Sequence, residues 1–165
     1  MGSEMCIRDS TKSLKLEMFV DADFAGLYKR EPDHLVDSVH SRTGYIIKLG
    51  GCPLVWKSQL QTDISLSTLE AEYSALSFAL RVLLPISRMM KEISDVLELP
   101  EEVKATILSE VFEDNKGCYF LATNHRITNR TKYFQVKYHW FWYYYAVHKA
   151  FATVSYTHLT LPTKA

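Results

Sequence analysis

At 165 residues, with 47% hydrophobic and 23% charged side chains, the chain has the length and balance of one folded domain, which excludes a disordered polymer. Its formal net charge is zero, so no global positive field marks a nucleic-acid binder, and such binding would need a local basic face. Three cysteines without paired or zinc-type spacing argue against a disulfide framework and a zinc site, and suit a reducing compartment.

In chain order, the opening GSEMCIRDS resembles translated sequencing-adapter read-through, as does the closing VSYTHLTLPTKA. Residues 1–10 and 154–165 are therefore set apart as non-native flanks of a domain spanning 11–153. No signal-peptide layout opens the chain. The densest apolar run, Tyr138 to Phe151, is interrupted by His139, His148 and Lys149 and is too short to span a bilayer.

Leu14–Val20 alternates apolar and mostly polar residues, the period of a half-buried strand, and runs into Asp21-Ala22-Asp23-Phe24-Ala25-Gly26. Leu27–Ser41 is polar and reads as a loop. Thr43–Leu49 and Pro53–Ser58 are strands joined by Gly50-Gly51, a hairpin signature. Ser67-Thr68-Leu69-Glu70 is a capping box opening a long helix. Tyr73, Leu76, Leu80, Leu83, Met90, Ile93 and Leu97 share one face of it, and Pro85 is expected to kink or split it. Thr106–Glu113 reads as a fourth strand, Asn115 as the cap of a helix to about Ala122, Thr123–Lys132 as a basic loop, and Val136–Phe151 as a helix. The expected fold is α/β: a three-strand antiparallel meander plus a parallel strand in one mixed sheet, with flanking helices.

Asp21 ends the first strand, Glu72 lies early in the long helix, and Asp114 ends the fourth strand. If the first and fourth strands are neighbours, the three carboxylates converge. Unpaired carboxylates in a cleft repel one another unless a cation joins them, and hard divalent ions prefer oxygen ligands. Acidic residues at such positions more often face water, and Asp21 could equally cap a turn.

The motifs go further. Val20-Asp21-Ala22-Asp23-Phe24-Ala25-Gly26 resembles the first-strand motif of copia-type retrotransposon ribonuclease H domains. Ser41-Arg42-Thr43-Gly44-Tyr45, Trp56-Lys57-Ser58 and Gln61 are similar to the stretches that follow it there, and Leu66–Leu76 resembles that family's helix motif. Glu113-Asp114-Asn115 resembles the fourth-strand motif, and Arg130-Thr131-Lys132 with Lys137-Tyr138-His139 the late block. The resemblance covers about Lys15 to Lys149.

It implies a ribonuclease H-like fold that cleaves the RNA strand of RNA–DNA hybrids with two magnesium ions, for which manganese can substitute. It also implies a reverse transcriptase domain as neighbour in the same polyprotein and a cytoplasmic virus-like particle as location, with no membrane and no small-molecule cofactor. By motif position the catalytic, metal-holding carboxylates are Asp21, Glu72 and Asp114, with Asp23 as fallback for Asp21. Glu70 is set aside because it serves the helix cap. A fourth carboxylate is usual in the late block, where this chain has Gln135, a weak ligand. His139 is an auxiliary candidate for leaving-group or product release, against an equally good reading as a packed structural histidine. Arg42, Lys57, Asn115, Arg126, Arg130 and Lys132 are candidates for contacting the hybrid. Trp56 and the Trp140–Tyr145 aromatics read as packing. Family members continue beyond the late helix, so the domain is expected to be C-terminally truncated. The competing readings are a non-catalytic connector or decayed remnant of the same fold, and an integrase-type nuclease acting on DNA.

Overall fold

Leu16, Met18, Val20 and Ala22 alternate with more polar neighbours, so strand β1 (Leu16–Asp23) puts all four on one face, and all four are buried in the computed structural model of the chain. The structure describes residues 15–28, 36–104, 107, 109–124, 128–129, 131–146, 149 and 151–155. Antiparallel to β1 runs β2 (Arg42–Leu49), with Val20 opposite Tyr45 and Met18 opposite Ile47, so both strands bury the same face. Gly50 and Gly51, both with positive φ, turn the chain into β3 (Cys52–Leu60), as the hairpin signature requires. A 3₁₀ turn, Val36–Val39, lies within the stretch read as loop.

Helix α1 (Thr68–Val96) lies across β1 and β2. Its capping box forms as expected: Ser67 Oγ accepts from the Glu70 amide at 3.2 Å, and Glu70 Oε2 accepts from the Leu66 amide at 2.8 Å. Of the kink or split expected at Pro85, the split does not occur; the 29 residues are one continuous helix, in which proline deletes a single backbone bond while flanking turns persist. The apolar stripe is buried only through Leu83; Ile93 and Leu97 are exposed. The covered face runs on through Ser87 and Ser94, with Met90 partly buried, so Ile93 lies beside that face, and Leu97 is the residue that ends the helix.

After a single helical turn, α2 (Glu101–Lys104), the chain returns as β4 (Ser109–Glu113), parallel to β1, and leads into α3 (Lys116–Thr123). The late segment is not the one helix expected over Val136–Phe151. It comprises α4 (Lys132–Tyr138), a 3₁₀ turn at His139–Phe141 and α5 (Trp142–Ala146). His139 and Phe141 pack on Tyr73, and Trp140 Nε1 donates to Ser77 Oγ at 2.8 Å. A short strand, β5 (Ala152–Ser155), adds in parallel to β4 and spans the 153/154 boundary drawn from the sequence. The sheet order is β3-β2-β1-β4-β5. Among the described residues, no helix is long and apolar enough to cross a membrane.

A buried polar knot secures the loop between β3 and α1. Gln61 Nε2 donates to Thr43 Oγ1 at 3.0 Å and to the Ala71 carbonyl at 2.9 Å, while Gln61 Oε1 accepts from Ser65 Oγ at 3.0 Å. Gln61→Leu should cost about 2 kcal/mol or more in urea denaturation, because three bonds vanish and the Ser65 hydroxyl stays buried without its partner. Trp56, expected in the core, is instead 70% exposed. It stands opposite Ile46 and so shares the sheet face of Phe19, the side away from α1.

Candidate metal centre

The parallel pairing of β1 and β4 sets Phe19 opposite Phe112, so the register carries Asp21 and Asp114 out of the sheet side by side. Glu72, one turn into α1 beyond the cap, reaches the same point. Ligand oxygens of Asp21, Glu72 and Asp114 all lie within 4.8 Å of one another; Asp21 and Asp114 are exposed and Glu72 is buried.

Crowding and burial shape the electrostatics. Burial, then the charges of Asp21 and Asp114, push Glu72 up to about 8; the Ala22 backbone amide opposes this. Asp21 is raised by burial and then by Asp114. Glu72 Oε2 is buried without a hydrogen-bond partner. A donor set made only of hard oxygens, mutually repelling and including one unspent buried oxygen, fits a divalent cation such as magnesium.

Asp23 does not join the group. Its carboxyl folds onto Gly26, where a Cβ would lie 1.9 Å from Asp23 Oδ2, so it points into the following turn and could stay there only beside glycine. Gln135 is fully buried, and its Oε1 already accepts from Thr131 Oγ1 at 2.6 Å, while Nε2 has no partner. It therefore offers a spare donor more readily than a ligand oxygen. His139 Nδ1 meets the Tyr73 hydroxyl, and its ring stacks on Tyr73 and Trp142, an aromatic setting apart from the three carboxylates.

Among the candidates for substrate contact, Asn115 caps α3, its Oδ1 accepting from the Gly117 and Cys118 amides at 2.9 and 3.0 Å. Lys57 is exposed on the edge strand, with its ammonium 5.4 Å from the Phe78 ring centre. Arg42 is half-buried opposite Asp23, and Lys132 is exposed at the start of α4. Arg126 and Arg130 lie outside the described residues.

Glu113 was missed. It is fully buried, its Oε1 accepts from the Asn115 amide at 3.1 Å, and its Oε2 lacks a partner. Burial, then the charge of Glu72, push it up to about 9. Strand parity was the available signal: Ser109, Val111 and Glu113 all fall on the buried face of β4.

No protein-family model matches the chain. It is 32% identical over 139 residues to the retrovirus-related Pol polyprotein from transposon TNT 1-94 of Nicotiana tabacum, covering 84% of this chain and 9% of that protein. It is 30% identical over 127 residues to the corresponding polyprotein from transposon RE2 of Arabidopsis thaliana, covering 77% of this chain and 8% of that protein. The chain thus spans less than a tenth of these relatives. Its fold resembles that of LC11-RNase H1, isolated from compost, with a TM-score of 0.52, 16% identity, and coverage of 88% of this chain and 86% of that one. That likeness speaks to the fold, a mixed five-strand sheet with flanking helices, and the polyproteins speak to descent. Together they make the chain a ribonuclease H-like domain of the retrovirus-related Pol polyproteins of transposons.

Proposed function

We propose that this domain hydrolyses the RNA strand of RNA–DNA hybrids beside the reverse transcriptase of the same polyprotein, within a cytoplasmic virus-like particle. The supporting observation is the gathering of Asp21, Glu72 and Asp114 oxygens within 4.8 Å. When bound, a pair of magnesium ions, or manganese in their place, supplies Lewis acidity and an activated water for phosphodiester hydrolysis. The chain's part is to hold those ions. Asp21 and Asp114 face solvent from adjacent strand ends, open to an incoming backbone, while buried Glu72 anchors the inner side. Asn115 spends its oxygen on the helix cap, which leaves its amide N–H groups for a 2′-hydroxyl or phosphate. Arg42, Lys57 and Lys132 supply cationic contacts to phosphates, with Arg130 completing the set.

Gln135 favours a second reading, a connector that binds hybrid without cutting it, because the position carries no charge and its oxygen is engaged by Thr131. One assay separates the two. The purified chain is incubated with labelled RNA–DNA hybrid, double-stranded RNA and duplex DNA, in magnesium or in chelator. Magnesium-dependent loss of the hybrid's RNA strand alone is the expected result. Hybrid binding without cleavage would replace the nuclease by the connector, and cleavage of duplex DNA would point to an integrase-type enzyme.

A further inference from the structure

The corner between β4 and α3 is built around Asp114 by its neighbours on both sides. Glu113 points inward with Val111, then reaches forward so that its Oε1 accepts from the Asn115 amide at 3.1 Å. That bond spans Asp114 and fixes the peptide that follows it. Asn115 in turn takes the Gly117 and Cys118 amides, and the buried Cys118 thiol lies against the Glu113 carboxyl, which raises it after burial itself. The corner also presses on α1: a Cβ at Gly117 would stand 3.2 Å from Leu69 Cδ1, one turn before Glu72. On the inner side, Glu72 and Glu113 each hold a buried Oε2 without a hydrogen-bond partner, and their charges act on one another.

We propose that Glu113 is a positioning residue whose carboxyl, by accepting from the Asn115 amide across the intervening Asp114, turns the Asp114 side chain toward Asp21 and Glu72 and so sets the metal affinity of the site. This rests on the nuclease reading of the three carboxylates. The requirement is for reach and an acceptor oxygen. Glutamine meets it and also presents an N–H donor beside the unspent oxygen of Glu72; aspartate keeps the charge but is one methylene too short.

The test titrates Mn²⁺ alone into the parent, Glu113→Gln, Glu113→Asp and Asp21→Asn by electron paramagnetic resonance, with circular dichroism confirming that each is folded at the titration temperature. Glu113→Gln should bind within about threefold of the parent, and Glu113→Asp should bind about tenfold or more weaker, the usual scale for groups that orient a metal ligand. Cleavage of the hybrid should follow the same order. Equal affinity for the Gln and Asp variants overturns the proposal, and so does equal weakening of both, because charge would then matter instead of reach. Should Glu113→Asp fail to fold, Glu113→Gln decides alone: parent-like affinity supports the role, and a tenfold loss ends it. Asp21→Asn separates the two layers of inference. If it binds Mn²⁺ like the parent, the three-carboxylate site itself is wrong; if it loses binding while Glu113→Asp does not, only the positioning role falls.

Discussion

Asp114→Asn is expected to lose on the order of a thousandfold in kcat/KM on an RNA–DNA hybrid, because several kcal/mol of metal-borne stabilisation depends on a charged ligand at that point. The loss should come without unfolding. Asp114 is exposed just past the end of β4, outside the core, and the bonds that shape its corner belong to Glu113 and Asn115. In chelator the variant should melt no lower than the parent, since Asp114 is one of the charges that raise both Asp21 and Glu72. Asparagine relieves that repulsion and keeps the shape. Steady-state cleavage in magnesium, paired with thermal melts in chelator, checks both halves. Undiminished cleavage by a folded variant would remove Asp114 from the site.

The second large effect concerns pH. Glu72 is held up to about 8 and Glu113 up to about 9, against 4.5 for each when unconstrained. Between these limits the folded chain retains protons that the unfolded chain has released. Stability therefore falls as pH rises from about 4.5 through 8 to 9, and it levels off above that range. A tenfold change in proton affinity on folding is worth about 1.4 kcal/mol, and because the two groups share one repulsion their joint effect is a few kcal/mol, on the order of 10 °C in melting temperature. Melting in chelator should thus be highest near pH 5 and lowest near pH 9. Magnesium or manganese should restore stability at pH 8 and add little at pH 5, where protons already neutralise the cluster. Melting temperatures that stay flat across this range would contradict the electrostatic picture of the site.

These carboxylates were readable from the sequence because each is tied to a strong local signal. Asp21 lies near the end of a clean period-2 strand, Glu72 follows a Ser67–Glu70 cap in which Glu70 reaches back to the Leu66 amide, and Asp114 precedes an N-cap asparagine that caps as expected. The Gly50-Gly51 hairpin was plain for the same reason. The misreadings depend on tertiary context. At the far end of α1 the covered face carries Ser87 and Ser94, small polar residues that a search for an apolar stripe passes over in favour of Ile93 and Leu97. The fate of Trp56 follows from its register opposite Ile46, which puts it on the sheet face away from α1, and from β3 being an edge strand. The 3₁₀ turn at His139–Phe141 leaves no mark in composition, which suggested one helix. Four residues of β5 carry too little pattern to stand out. Glu113 was passed over because a charged residue at a strand end is usually solvated, although its parity with Val111 placed it inside.

The side-by-side placement of β1 and β4 has a consequence for how the molecule assembles. The β2–β3 hairpin closes locally, but Phe19 and Phe112 come together from positions about ninety residues apart, so the loop-closure entropy of this pairing is large and it belongs to the slow part of folding. Asp21 and Asp114 stand at the tips of those two strands. In a chain whose β1–β4 ladder is still open these two carboxylates are held apart, so the acidic cluster comes into being only with that long-range pairing.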